Sequence, residues 1–325
     1  MTNKEIYKKT LCFSIRRLVF DIISLLVLAG LAVGGFIIAE NKFNKGPIGL
    51  VIGLVVGIVI LALLTRLVSY IFKAGQIAMM TRGITEGSLP DNVYKEGKRA
   101  VKERFATIAG FFAVTAAIKG IFTQIGRGIT SAGRAIGGDS GGAVGSAIST
   151  AINTLVAYLC DCCLGWVFYR KEKGSVRATC EGAVLFFKHG KTLAKNMGRI
   201  FGMSLVSLLA IGGVFFGIFY LIFSSFPRAF ETLAAEFVVA EGAEVESRWL
   251  YDILSNPKTL VIAVAVVAGI AIWSVIHSAF IRPFILTGVL RNYLQSGMEE
   301  VPTEEAFASL ERISPKFAKL SKQLD

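Results

Sequence analysis

Several stretches of this chain run for twenty residues or more with no polar face, and few folds accommodate that. A helix on a soluble protein's surface carries an apolar stripe opposite a polar one, whereas a helix apolar all round lies inside protein or lipid. A run of about 20 such residues matches the hydrocarbon core of a bilayer. Six runs stand out, at residues 18–39, 48–72, 105–125, 147–168, 200–226 and 259–280. No sustained period-two alternation accompanies them, as a membrane barrel would need. The first run follows a basic N-terminus, but it exceeds a signal-peptide core and no small-residue cleavage site follows. The expected fold is therefore all-α: a single polytopic membrane domain of about six transmembrane helices. The third run is the weakest, interrupted by Lys119 and Gln124, and reads equally as a re-entrant helix.

Lysine and arginine are retained on the cytoplasmic side of a membrane, so their placement orients the spans. With the N-terminus inside, segments 1–17, 73–104, 169–199 and 281–325 hold 26 of the 35 basic residues, against seven outside. The expected topology is N-in and C-in, in a bacterial-type cytoplasmic membrane. This also accounts for the net charge of +12. Basic segments at the membrane surface attract anionic headgroups, and Lys95, Lys98, Lys102, Lys188, Lys191 and Lys195 are the candidates for that contact. No aromatic-basic module points to nucleic acid.

The inner segments are patterned. Residues 73–87 read as a short helix, Gly87-Ser88-Leu89-Pro90 as a turn, and 91–104 as a second, charged helix. Segment 169–199 has a similar plan. Lys95-Glu96-Gly97-Lys98 with Lys102 recurs as Lys188-His189-Gly190-Lys191 with Lys195, each copy preceding a span. A fainter third copy matches Arg282, Arg291, Gly297 and Pro302 to Lys73, Arg82, Gly87 and Pro90. The loop at 227–258 is acidic, with Glu231, Glu236, Glu241, Glu244, Glu246 and Asp252 against three basic residues. It reads as an external amphipathic helix, with Trp249 and Tyr251 at headgroup level.

Residues 126–150 are rich in glycine, and Gly133, Gly137, Gly141, Gly145 and Ser149 recur every four residues. On one helix they form a groove that packs another helix of the chain, a second subunit or an elongated ligand; off a helix they form a flexible loop. The shorter motifs Gly30/Gly34 and Gly53/Gly57 read as contacts between spans. Intramembrane polar residues are the other candidates, because ions are costly in hydrocarbon. Asp21 lies one turn from Arg17, Lys119 interrupts the third span, and His277 sits near the inner end of the sixth beside Ser274 and Ser278. Cys12, Cys160, Cys162, Cys163 and Cys180 lie at or near inner ends, where the reducing cytosol keeps thiols free. The Cys160-Asp161-Cys162-Cys163 run lacks the second cysteine pair of a zinc site. No nucleophile elbow, zinc-protease or P-loop motif appears, so neither an enzyme nor a cofactor is expected.

Gly141–Leu159, the adjacent Cys162-Cys163, Gly182–Arg199 and the stretch after the sixth run through Leu294 resemble the membrane core of choline-transporter-like proteins. That family has a small-residue run before a span, a cysteine-rich inner end and a basic amphipathic cytoplasmic segment. The chain departs from it in looser spacing, fewer spans and the lack of an asparagine- and tyrosine-rich stretch, and no family site residue transfers. The resemblance implies an organic-cation transporter or a lipid-related membrane protein. Two function classes therefore stand open. One is a transporter or channel for a small organic solute or lipid. The other is a non-catalytic structural or assembly subunit, packing through small-residue grooves as a homo-oligomer or with a partner membrane subunit.

Overall fold

The structure, a computed structural model, describes residues 1–105, 108–137, 142–188, 197–239, 252–300 and 302–322, and every element among them is helical. Four of these helices are long and apolar enough to cross a membrane: Asn3–Phe43, Ile48–Thr85, Gly198–Ser224 and Pro257–Glu299. A bent pair, Val93–Arg104 with Ala109–Gln124, becomes a fifth only if its 82° break counts as one span. The chain divides into two compact units, Met1–Phe201 with Pro283–Asp325, and Gly202–Arg282.

The first unit begins with a hairpin. Helix α1 (Asn3–Phe43) opens on a capping box in which Thr2 and Glu5 satisfy each other's backbone N–H groups, and it ends at Asn44 with φ 54°. The Gly46 N–H donates to the Glu40 carboxylate at 2.7 Å, closing the turn into α2 (Gly46–Val68). Glycine sets the spacing between the two helices. A methyl added to Gly35 or Gly49 would fall on the other's carbonyl, and one on Gly53 would fall on the Leu31 carbonyl. Gly57 lies against the Leu28 side chain, so the Gly53/Gly57 motif does pack the hairpin. Gly30 and Gly34 do not: nothing lies within 4 Å of a side chain there. Their neighbour Gly35 makes the contact instead, one residue out of the expected phase. The outer faces of the hairpin leave Leu26 at 68 %, Val33 at 57 % and Leu63 at 59 % exposed.

Past a π-helical turn at Ser69–Lys73, α3 (Ala74–Thr85) enters a helical body. Gly87, at φ 70°, and an Asn92 cap lead into α4 (Val93–Arg104), matching the helix–turn–helix expected at 73–104. The first turns of α1 belong to this body. Ile6, Thr10, Phe13 and Ser14 are fully buried, and Gln76 Nε2 donates to Ser14 Oγ at 3.1 Å. Phe13 wedges where α3 crosses α4, and Gly75 and Gly97 leave room for it. Helices α5 (Ile108–Gly137), α6 (Gly142–Tyr169) and α7 (Ser175–Lys188) follow. Helix α12 (Arg282–Glu299) buries Ile285, Leu290 and Leu294, and α13 (Glu304–Ile313) and α14 (Pro315–Ser321) close the unit.

The third and fourth expected spans fall on α5 and α6, and neither is among the four long apolar helices found among the described residues. The C-terminal half of α6 is enclosed by protein. Tyr158, Leu159, Cys162, Cys163, Trp166, Val167 and Phe168 are each at most 4 % exposed. Helix α5 buries Phe111, Val114, Ile118, Ile121 and Phe122, and its Gln124 Oε1 accepts from Ser314 Oγ at 2.6 Å and from the Lys316 N–H at 3.2 Å. A sequence apolar all round fits a protein core as well as lipid, and composition alone does not separate them.

In the second unit, α8 (Met197–Ser207) continues through a π-helical turn at Leu208–Gly212 into α9 (Gly213–Ser224). Then α10 (Pro227–Val239) gives the amphipathic helix expected of the acidic loop, while Glu241, Glu244, Glu246, Trp249 and Tyr251 lie outside the described residues. Phe230 and Ala234 of α10 pack on Leu260 and Val261. Helix α11 (Pro257–Ile276) starts on an Asn256 cap with proline at its first position, and a π-helical turn follows at His277–Ile281. Gly269 brings α11 onto the α9 backbone, where an added methyl would lie 2.9 Å from Phe216 N.

Candidate functional site

Of the glycine stripe, Gly133 and Gly137 lie on α5 and Gly145 and Ser149 on α6, while Gly141 lies outside the described residues. Asp21 sits 3.7 Å from Arg17 on α1. Lys119 is exposed on α5. His277 Nε2 lies 3.1 Å from Ser204 Oγ, its ring 5.0 Å from that of Trp273, which donates to Ser207 Oγ at 3.1 Å. This serine–tryptophan–histidine group ties α8 to the end of α11. Lys95, Lys98 and Lys102 line the exposed side of α4. Lys188 is exposed at the end of α7, 2.6 Å from Glu300, whereas Lys191 and Lys195 lie outside the described residues.

All five cysteines are free. Cys162 and Cys163 are fully buried, and Cys163 Sγ donates to the Thr179 carbonyl at 3.5 Å. Burial, with Glu181 and Glu311 adding to it, pushes the Cys180 thiol up to about 12. Reactive cysteines need the opposite environment, electropositive and partly open. These thiols behave as small apolar side chains.

Two buried carboxylates escaped the sequence reading. Asp161 is 3 % exposed and pairs with Lys73 at 2.6 Å, joining the π-helical turn below α2 to α6. Glu181 is 7 % exposed, receives the Trp166 indole N–H at 3.4 Å, and lies 3.2 Å from Arg170 and 3.7 Å from Arg177. Beside it Tyr293 Oη donates to the Gly182 carbonyl at 2.6 Å, and burial raises its phenol. These pairs hold α6, α7 and α12 in register.

A cleft of about 860 Å³ lies between α3, α4 and the α6–α7 turn of the first unit. That volume lies in the range of small-molecule sites. Sequence reading missed it because its walls come from segments far apart in the chain. Most of its charges are internally matched. Arg82 pairs with Glu86 at 2.7 Å, Arg99 with Glu103 at 2.6 Å, and Lys171 approaches Glu86 at 3.9 Å. Arg104 differs. Its Nη1 donates to the Lys173 carbonyl at 2.7 Å, but Nε and Nη2 are shielded from solvent without a hydrogen-bond partner among the described residues. Desolvation pulls its guanidinium below the usual arginine range, partly offset by Glu172. An unmet buried donor is unfavourable by roughly 1–3 kcal/mol, so this corner of the cleft is underpaired.

Among the described residues no three His, Cys, Asp or Glu side chains come together in a way that would hold a metal ion. No family model matches this sequence, and neither a curated protein nor a solved structure was found to match it.

Proposed function

We propose that the protein is a non-catalytic scaffold subunit of a membrane assembly, anchored by four crossings and presenting a helical body on the cytoplasmic side. The observation that carries this reading is the backbone-to-backbone packing of α1 on α2 through Gly35, Gly49 and Gly53, repeated in kind at Gly269. Helices that close leave no polar path between the members of a hairpin, and transport through hydrocarbon needs one. Counting four crossings instead of six moves residues 105–168 inside. Then 29 of the 35 basic residues lie inside and five outside, a sharper partition than six spans give. On this topology Lys95, Lys98, Lys102 and Lys188 face anionic headgroups, each worth about 1 kcal/mol near the surface.

The competing reading is transport of an organic cation or lipid, favoured by the resemblance to choline-transporter-like proteins. Flux of choline, ions or dye into vesicles holding the purified protein separates the two: none above empty vesicles is expected, and measurable flux overturns the scaffold. Topology has its own test. A cysteine at Ser140 in a cysteine-free variant should resist an impermeant maleimide added outside cells. A six-span chain would expose it. If the glycine stripe packs a partner, Gly137→Leu with Gly141→Leu should change the oligomeric state in light scattering.

A further inference from the structure

We propose that the cleft between α3, α4 and the α6–α7 turn is a binding site for an organic phosphate, with the Arg104 guanidinium as its anchor. The inference holds whether the protein is a scaffold or a transporter. The cleft has the size of a small-molecule site, about 860 Å³, which far exceeds a bare ion and calls for a substituted one. Within it Arg82 and Arg99 are held by their own carboxylates one turn away, so neither is the natural anchor. Glu172, the carboxylate that acts most on Arg104, is drawn away to Arg170 at 2.9 Å.

Arg104 keeps one donor, Nη1, on the Lys173 carbonyl, and this bond fixes the plane of the guanidinium. The two donors left without partners, Nε and Nη2, form the side edge of the fork. That edge has the fork geometry that grips two oxygens of a phosphate or carboxylate with parallel hydrogen bonds once the guanidinium turns to face the cleft. Phosphate suits the cleft better. Its remaining oxygens have a second cation within the same walls in Lys171, which is 70 % exposed and only loosely held by Glu86 at 3.9 Å. Tyr169 in the lining offers aromatic surface to the organic part, and Ala78 and Ala100 are small side chains in the same lining.

A phospholipid headgroup and a soluble phosphate ester share this chemistry, and two probes separate them. The full-length protein is melted in detergent with inorganic phosphate against chloride at equal ionic strength, and in nanodiscs with and without phosphatidic acid. Stabilisation by inorganic phosphate identifies a soluble ligand. Stabilisation by phosphatidic acid alone identifies a headgroup. In either case Arg104→Gln should weaken the response about tenfold or more, the effect of losing a charge-assisted pair. Ala100→Phe, which fills the cleft without altering charge, should abolish it, and it decides the matter if Arg104→Gln does not fold. Arg312→Gln, an exposed cation outside both the cleft and the lysines assigned to headgroups, should leave the response intact. Absence of stabilisation by both probes, or a full response in either folded cleft variant, overturns the site.

Discussion

At the scale of single residues, the glycines of the first hairpin show how much depends on phase. Gly34 and Gly35 are adjacent, yet only Gly35 faces the partner helix, and an added methyl there would meet the Gly49 carbonyl. Gly53→Ala should lower the unfolding midpoint in detergent by the equivalent of about 1–3 kcal/mol, as overpacking does. Gly34→Ala should change it by less than about 0.5 kcal/mol, as open surface positions do. The four-residue spacing of Gly30 and Gly34 was legible in the sequence, but which side of the helix they occupy was not. That is set by the turn at Asn44, whose geometry fixes the register. The cysteines make a second residue-scale prediction. In native protein Cys12 and Cys160 should react with maleimide well before Cys162, Cys163 and Cys180, read by mass spectrometry of labelled peptides. The folded Cys180 thiol releases its proton near 12 rather than near its ordinary 9.0, so its contribution to stability is full below pH 9 and lost as pH rises toward 12. A fall in unfolding midpoint over that window should be smaller in Cys180→Ser.

At the scale of elements, the helices that follow turn signals were the easiest to read. Gly87 breaks the chain at the expected turn, and the second helix restarts from an Asn92 cap beside the expected start at 91. The fainter internal repeat also gains a structural counterpart. Lys73 closes the π-helical turn at Ser69–Lys73 and Arg282 directly follows the one at His277–Ile281, with Arg82 and Arg291 in the helices beyond. The third and fourth apolar runs show the limit of a local window: nothing in it tells whether Ile118 or Val167 meets lipid or another helix. The one local hint was Asp161 amid the apolar run. Asp161→Asn removes the carboxylate that Lys73 reaches at 2.6 Å. With Lys73 partly exposed, about 1–3 kcal/mol of destabilisation is expected in thermal melts, less than a fully buried pair would lose. A loss under about 0.5 kcal/mol would mean that the pair does not hold α6 to the end of α2.

At the scale of the whole chain, composition made the membrane character plain, while the charged cleft was illegible because residues 78–104 and 168–172 meet only after folding. The C-terminal segment is the other long-range partner that no local pattern announced. Gln124 on α5 takes two hydrogen bonds from residues about 190 positions away. Ending the chain at residue 301 should therefore leave the α1–α2 hairpin intact and speed proteolytic cleavage between residues 108 and 124. Unchanged cleavage there would separate α14 from the stability of α5. The continuity of α1 has a mechanical consequence as well. Its 41 residues form one unbroken rod about 60 Å long, with Ile6 and Phe13 locked in the helical body and Val33 on the apolar stretch. A rod of this kind has no joint at which to absorb a change in bilayer thickness. A tilt of 10° forced on the apolar half would swing the N-terminal half by about 5 Å, so the body should register membrane thickness as displacement rather than screen it out.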